Sequence, residues 1–281
     1  MNEPALAKEL YDDFRMFLEN VSGIVLGDNK HYLVTSRLNR LTKEFSFPSL
    51  TSMLEALKRD ENPILKGRII DAMTTNETSW FRDTYPFEIL KESLLPMLAQ
   101  LKKPQLRIWS AACSTGQESY SMSMAISEFQ MSRLGALNSR VEIVGTDISK
   151  GALAQANAAS YDELSIMRGL SAERRDKFFI QQDERWTVRP EIKERARFTE
   201  LNLLQNYVLL GKFDLIFCRN VLIYFSTEMK KDILTRMAQI MNPGSYIILG
   251  GSESPTGYTD AFEMVRFPQG VVYRLRDNWK P

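Results

Sequence analysis

The chain has few of the residues on which most catalytic and metal sites depend. Its 281 residues include one histidine, His31, and two cysteines, Cys113 and Cys218. Zinc sites built from cysteine and histidine, a serine–histidine–aspartate triad in its usual form and a disulfide framework need more of these residues, or need them closer together. Any chemistry that this protein performs must therefore run almost without imidazole.

The sequence also lacks a charge excess and a long apolar run. Its 36 basic and 35 acidic residues give a net charge of +1, so no global field favours nucleic acid or anionic lipid as a partner. No apolar run approaches the roughly 18 residues of a membrane span, and the N-terminal sequence MNEPALAKELYDDF has no signal-peptide core. We therefore expect a cytoplasmic protein that neither enters membranes nor binds nucleic acid, with both cysteines as free thiols.

What is present is the composition of a globular protein, 44% hydrophobic and 25% charged, at a length that suits one large or two smaller domains. Residues 1–73 predict helices only. Apolar residues recur at helical spacing over 14–21 and 33–45, and Pro48 with Ser49, and then Pro63, are typical of the starts of two further helices. We assign 1–73 to an N-terminal helical domain.

Charge is segregated within this helical domain. Residues 29–43 contain no acid and four bases, Lys30, Arg37, Arg40 and Lys43. The last three are spaced three residues apart, which keeps them on one flank of a helix. A solvated helix face is the ordinary interpretation of such a pattern, and a docking surface for an acidic partner is the alternative.

From residue 74 onward, short apolar runs alternate with helical patterns. The runs over 106–112, 141–147, 213–220 and 246–253 predict strands of a doubly wound, mostly parallel sheet in an α/β domain over 74–281. Two last runs, separated only by Pro-Gln-Gly, predict a terminal antiparallel hairpin. The charged stretch 162–200 is too long for a plain connection and predicts an inserted subdomain.

In an open α/β sheet, ligands bind beyond the carboxyl ends of the strands, so the residues that follow each run are the candidates. Gly116 and its small neighbours predict close backbone approach to a ligand. Asp147 is placed to accept hydrogen bonds from two ribose hydroxyls, although it could equally cap the helix that starts near Ser149. Asn202 could read an adenine edge, although a turn or cap role is the commoner one.

Arg219 and Asn220 directly follow a buried run, where a charge costs free energy unless something pairs with it. Neither the glycine pattern of a dinucleotide site nor the lysine of a phosphate cradle is present. An adenosine ligand without a phosphate cradle indicates S-adenosylmethionine and a methyl transfer.

Six motifs occur in order behind the basic helix: TTNETSWFRD, WSAACSTGQESYS, GTDIS, LNLL, FCRNVLIYF and GSES. This set resembles the chemotaxis receptor glutamate methyltransferases, the CheR-type family, over nearly the whole chain. The resemblance implies a class I, Rossmann-like methyltransferase fold with an N-terminal helical domain and a small β subdomain. It also implies that S-adenosylmethionine donates a methyl group to glutamate γ-carboxylates on the cytoplasmic helical bundle of chemoreceptors and leaves as S-adenosylhomocysteine.

By motif match, the resemblance assigns each candidate residue a role. Asn76, Thr78 and Arg82 would line the cofactor and active site, Glu118 would bind the cofactor's amino group, Asp147 its ribose, and Asn202 with Leu203 its adenine. Arg219 and Asn220 would close the pocket, Tyr224 would lie beside the transferred methyl group, and Lys30, Arg37, Arg40 and Lys43 would dock the receptor. For Arg82, a structural salt bridge to Asp83 or Glu88 is the alternative to a catalytic role.

One departure from the family pattern concerns the receptor's C-terminal pentapeptide, which some members bind through a glycine-containing loop. No glycine occurs between Gly169 and Gly211, so we expect an enzyme that does not depend on this tether. Two other functions would share the cofactor pocket: a methyltransferase for another substrate, and a non-catalytic module that binds the cofactor or its product and signals to a partner.

Overall fold

The computed structural model describes residues 6–59 and 62–280, and residues 1–5 of the predicted helical domain lie outside them. Up to residue 73 the regular structure of the described residues consists of four helices, α1 (Lys8–Ser22), α2 (His31–Glu44), α3 (Leu50–Lys58) and α4 (Pro63–Met73). The starts of α3 and α4 are capped as their sequences predict. The Ser49 side chain accepts a hydrogen bond from the Ser52 amide, and Asn62 accepts hydrogen bonds from two amides of the first turn of α4.

Seven strands form the main sheet in the order β6-β2-β1-β7-β8-β10-β9. Their bounds are β1 (Gln105–Ala111), β2 (Arg140–Asp147), β6 (Ala196–Glu200), β7 (Phe213–Cys218), β8 (Met241–Leu249), β9 (Phe262–Phe267) and β10 (Gly270–Leu275). The pairs β1/β2, β1/β7, β2/β6 and β7/β8 are parallel, and β10 is antiparallel to both β8 and β9. The predicted parallel sheet and terminal hairpin are confirmed.

Helices cover both faces of this sheet, which makes it doubly wound. Phe217 and Ile108 belong to the core on one face, whereas Trp109 and Ile216 belong to the core on the other. The covering helices include α7 (Gln117–Ser132), α8 (Lys150–Ala158) and α12 (Thr227–Gln239). Before the first strand lie α5 (Tyr85–Ile89) and α6 (Leu95–Gln100), joined by a π-helical turn over Leu90–Leu94.

A second, three-stranded sheet forms a small β subdomain, with strand order β3-β5-β4. It comprises β3 (Ser160–Asp162), β4 (Phe179–Gln182) and β5 (Arg185–Val188), with helices α9 (Glu163–Met167), α10 (Ala172–Phe178) and α11 (Pro190–Lys193). The predicted interval 162–200 differs from it at both ends, because β3 starts at 160 and β6 pairs with β2 in the main sheet. Since β6 is a half-exposed edge strand with charged residues, it lacks the apolar run that marks the inner strands.

Within the described residues, no helix is long and apolar enough to cross a membrane. Cys113 and Cys218 are both buried free thiols, and burial raises the pKa of each thiol well above its ordinary value. Neither thiol therefore has the thiolate character of a nucleophile.

Candidate active site

A cavity of about 300 Å³ lies beyond the carboxyl ends of β1, β2 and β7, where the helical domain closes over the sheet. Small-molecule sites span roughly 300–1,000 Å³. Nine residues predicted to form the cofactor and catalytic sites line this cavity: Asn76, Thr78, Glu118, Asp147, Asn202, Leu203, Arg219, Asn220 and Tyr224. Two bases, Lys30 directly before α2 and Arg37 within it, line the cavity as well.

Arg219 is a buried charge in the cavity wall, with a side chain that is 1% exposed. Its guanidinium donates to Glu118 Oε2 at 3.0 Å, to Asp83 Oδ2 at 2.7 Å and to the carbonyl of Arg82 at 2.8 Å. Its Nε is buried and has no hydrogen-bond partner among the described residues. One guanidinium thus faces two carboxylates, which leaves an excess negative charge suited to a cationic ligand.

Glu118 lies in the first turn of helix α7, and its carboxylate connects two strand ends. Its Oε1 accepts a hydrogen bond from Ser110 Oγ at 2.7 Å, and its Oε2 accepts from Arg219. Ser110 lies near the end of β1 and Arg219 follows β7, and these strands are adjacent in the sheet. The three side chains therefore form one network across the floor of the cavity.

Asp147 is buried at the end of β2, and both of its carboxylate oxygens accept backbone hydrogen bonds. Oδ2 accepts from the Ser114 amide at 2.8 Å and Oδ1 from the Ser149 amide at 2.9 Å. Burial raises the pKa of Asp147, and these two amides oppose the rise. The cap of α8 is Ser149, whose Oγ accepts from the Ala152 amide, so the interpretation of Asp147 as that cap is wrong.

Asn202 uses its side chain to join the two parts of the protein. Its Nδ2 donates to the carbonyl of Val21 at 2.7 Å, and its Oδ1 accepts from the Leu204 amide at 3.0 Å. Close by, the Val25 amide donates to the carbonyl of Tyr224 at 2.9 Å. These bonds hold the end of α1 and the connection to α2 against the cavity, and they use one of the two N–H donors of the amide that was expected to read adenine.

Arg82 is predicted to act at the active site, but it does not line the cavity. Its guanidinium donates to the carbonyl of Glu77 at 3.1 Å, while its own carbonyl accepts from Arg219. The alternative of a salt bridge to Asp83 or Glu88 is not found among the described residues, and Asp83 pairs with Arg219 instead. The charge of Arg82 therefore has no carboxylate partner in the part of the chain that the structure describes.

Glu253 organises the loop that follows β7, a role that sequence reasoning missed. Its carboxylate accepts hydrogen bonds from the amides of Asn220 at 2.7 Å, Gly250 at 2.8 Å and Val221 at 3.0 Å. Asn220 has a φ of +57°, in the left-handed region that asparagine adopts more readily than most other non-glycine residues. Glu253 thereby fixes a loop whose residues Asn220, Val221 and Tyr224 line one side of the cavity. The Gly-Gly-Ser-Glu sequence after β8 is the pattern from which a role for Glu253 could have been predicted.

Gly116 permits a close approach, but not to a ligand. It has a φ of +95°, and a Cβ atom built on it would lie 3.0 Å from the Cβ of Ala156 in α8. Gly116 itself is not among the described residues that line the cavity, because its close approach is to helix α8, whereas its small neighbours Ala112, Cys113 and Ser114 do line the cavity.

The four bases of the predicted docking helix have different surroundings. Arg37 is half-buried and donates to the carbonyls of Met73 at 2.6 Å and Thr74 at 3.2 Å, so it caps the end of α4. Lys30, Arg40 and Lys43 are exposed. Part of the basic flank thus holds the link between the domains, and the rest faces outward.

Two family models match the chain. The CheR methyltransferase all-alpha domain matches residues 9–74, and the CheR methyltransferase SAM-binding domain matches residues 76–271. The chain belongs to the CheR methyltransferase family. Chemotaxis protein methyltransferase 1 of Pseudomonas aeruginosa is 50% identical over 95% of this chain and 97% of its own length. Chemotaxis protein methyltransferase 1 of Vibrio cholerae is 50% identical over 98% of this chain and 100% of its own length.

As a member of the CheR family, the chain is an S-adenosylmethionine-dependent methyltransferase. The residues in the cavity fit this cofactor. The carboxylate excess around Arg219 suits its positive charge, the unpaired Nε of Arg219 can donate to a carboxylate, and Asp147 can accept from hydroxyl groups. Cys113 lines the cavity as a buried, neutral thiol, and no histidine is among the described lining residues.

Proposed function

We propose that this methyltransferase modifies glutamate γ-carboxylates on the cytoplasmic helical bundle of chemoreceptors, and that it works in the cytoplasm. The observation that carries this proposal is the shared cavity: the helical domain, with its basic helix α2, forms one wall and the catalytic domain the other. A protein substrate that is rich in carboxylates is complementary in charge to a cavity entrance that has a basic helix on one side. The names of the relatives, all chemotaxis methyltransferases, support the same substrate class.

In the same proposal, residues 1–73 form the receptor-docking domain and 74–281 the catalytic domain. Lys30, Arg37, Arg40 and Lys43 attract the receptor. Asn76, Thr78, Glu118, Asp147, Asn202, Leu203, Arg219 and Asn220 hold the cofactor, with Asn202 acting through the bond that fixes its own loop. Tyr224 shapes the space around the methyl group, and Arg82 orients the substrate carboxylate.

The reaction needs no general base from the protein. A glutamate side chain has a reference pKa of about 4.3, so near neutral pH it is already the anion. S-adenosylmethionine, when bound, would supply a methyl group on a sulfonium. The leaving group is then the neutral thioether S-adenosylhomocysteine, which needs no proton from the protein. The chain's own residues therefore have to position the two reactants and exclude water, and correct positioning can account for roughly 7–11 kcal/mol of a barrier.

The proposed function is tested by incubating the protein with receptor-containing membranes and radiolabelled S-adenosylmethionine. We expect label on chemoreceptor bands that is released by mild base, because a carboxyl methyl ester is base-labile. Base-stable label, or label on another species, would indicate a different methyl acceptor. Absence of turnover, with the cofactor still bound, would favour the non-catalytic module.

A separate prediction concerns the receptor's C-terminal pentapeptide. Strand β4 ends at Gln182 and β5 begins at Arg185, so only Asp183 and Glu184 connect them, without a glycine. We expect no heat of binding when such a pentapeptide is titrated calorimetrically into the protein. Titration of S-adenosylhomocysteine into the same sample is the positive control, and a saturable pentapeptide isotherm would refute tether independence.

Cofactor affinity should fall in acid as Asp147 takes up a proton. Because burial raises the pKa of this carboxyl, the loss should begin at a higher pH than for an ordinary aspartate, whose pKa is 3.8. The ionised carboxylate accepts hydrogen bonds from hydroxyl donors, so affinity is full above the raised pKa and declines below it. Calorimetric titration of S-adenosylhomocysteine over a pH series measures this decline. Asp147→Asn should bind weakly at every pH and lack this component, and an unchanged profile in that variant would contradict the assignment.

A further inference from the structure

A second cleft, of about 580 Å³, lies beside the cofactor cavity. Residues of α2 and α4 form one wall, and residues of the loop after β1, α8 and α9 form the other. Arg37, Asn76 and Thr78 line both the cleft and the cofactor cavity. The cleft is therefore an approach to the cofactor from the junction between the two domains.

The cleft is strongly basic. Four guanidinium groups line it, and Asp71 is the one acid among its described lining residues. The arginines are Arg37, Arg40, Arg68 and Arg168. Arg37 and Arg40 belong to the proposed docking helix, but Arg68 lies on α4 and Arg168 follows α9 in the β subdomain. Positive charge thus comes from both domains, although the whole chain carries a net charge of only +1.

Arg68 and Arg168 each have a partner that a substrate can replace. Arg68 pairs with Glu44 at 2.9 Å and Arg168 with Glu77 at 3.0 Å. All four side chains are well exposed, from 38% for Glu44 to 67% for Glu77. Exposed ion pairs of this kind contribute little free energy. Replacing the protein's own carboxylate with a carboxylate of the substrate therefore costs little.

The turn that carries Arg168 is held firmly against the active-site segment. The carbonyl of Arg168 accepts a hydrogen bond from the Trp80 amide at 2.9 Å. A Cβ atom on the next residue, Gly169, would lie 2.2 Å from the carbonyl oxygen of Trp80, so only glycine fits there. The anchored turn therefore holds Arg168 at the edge of the cleft.

We propose that this cleft binds the acidic helix segment around the target glutamate, with Arg68 and Arg168 pairing with carboxylates that flank it. The proposal rests on the proposed function, since it takes the substrate to be a receptor helix. Methylation converts a carboxylate into a neutral ester, which no longer pairs with an arginine. The cleft therefore makes the enzyme prefer segments whose neighbouring glutamates are still unmodified.

The first test measures initial methylation rates on receptor-containing membranes over a range of receptor concentrations. Arg68→Gln and Arg168→Gln should each raise KM about twofold to fivefold, with kcat within about twofold. Arg133→Gln is the matched control, because Arg133 pairs with Glu92 at 3.0 Å, is 44% exposed like Arg68, and lies outside the cleft. Glu44→Gln releases Arg68 and should lower KM.

The second test measures binding directly and does not depend on turnover. A fluorescent helical peptide rich in alanine and glutamate is titrated with the protein in the presence of S-adenosylhomocysteine and compared with its glutamine counterpart. Wild type should bind the glutamate peptide more tightly, and the Arg68→Gln/Arg168→Gln double variant should lose this preference. Unchanged S-adenosylhomocysteine affinity shows that the variants are folded.

The possible outcomes separate this inference from the proposed function. If wild type methylates receptors but KM is unchanged in the double variant, or moves equally in Arg133→Gln, the cleft assignment is wrong and the function stands. If wild type methylates no receptor, the proposed function fails. Equal binding of the glutamate and glutamine peptides overturns the cleft assignment in either case.

Discussion

Replacement of Arg219 with methionine should lower the free energy of unfolding by roughly 3–5 kcal/mol and abolish measurable cofactor binding. The reason is the carboxylate that remains behind. Glu118 has a side chain that is only 13% exposed, and without Arg219 its charge keeps only the hydroxyl of Ser110. Asp83 is 43% exposed and can be hydrated, so most of the loss comes from Glu118. Urea unfolding measures the stability, and calorimetric titration of S-adenosylhomocysteine measures the binding.

Two further variants make the Arg219 prediction specific. Arg133→Met removes an equally long but exposed ion pair and should change stability by less than about 0.5 kcal/mol. Adding Glu118→Gln to Arg219→Met removes the stranded charge, so the double variant should recover part of the lost stability without regaining affinity for the cofactor. A single Arg219→Met variant as stable as wild type would show that this network is not an energetically coupled unit.

The main sheet and the strand-end residues were predictable because local sequence determines them. Buried inner strands are continuous apolar runs, and the carboxyl ends of parallel strands meet at one edge. Asp147 ends one such strand and Arg219 directly follows another, so their convergence on one cavity needed no knowledge of tertiary packing. Edge strand β6 was missed for the same reason, since its half-exposed side chains leave no apolar run.

The parts of the site that were not predictable depend on contacts between distant segments. Asn202 donates to Val21, 181 residues away, and Glu253 holds the amide of Asn220, 33 residues away. A helical spacing of three shows which residues share a flank, but not that Arg37 turns inward to cap α4. These hydrogen-bond partners depend on how the helical domain packs on the sheet. Local sequence patterns do not predict that packing.

Arg82→Ala should reduce kcat by about 100-fold to 1,000-fold while S-adenosylhomocysteine affinity stays within about tenfold, or 1.4 kcal/mol. Arg82 has no carboxylate partner among the described residues, and one hydrogen bond to the Glu77 carbonyl holds its guanidinium, so it can turn to a substrate carboxylate at small cost. Turnover is measured as base-labile label on receptor-containing membranes.

A purely structural role for Arg82 predicts a different pattern. If the arginine only holds the Glu77 carbonyl, then Asn76 and Thr78, which flank that residue and line the cavity, should shift in the alanine variant. Cofactor affinity would then fall together with kcat. Arg82→Lys keeps the charge but loses the planar fork, so under the catalytic role it should restore part of kcat without changing cofactor affinity. Retained turnover in Arg82→Ala, or a parallel loss of kcat and cofactor affinity, would show that Arg82 does not orient the substrate carboxylate.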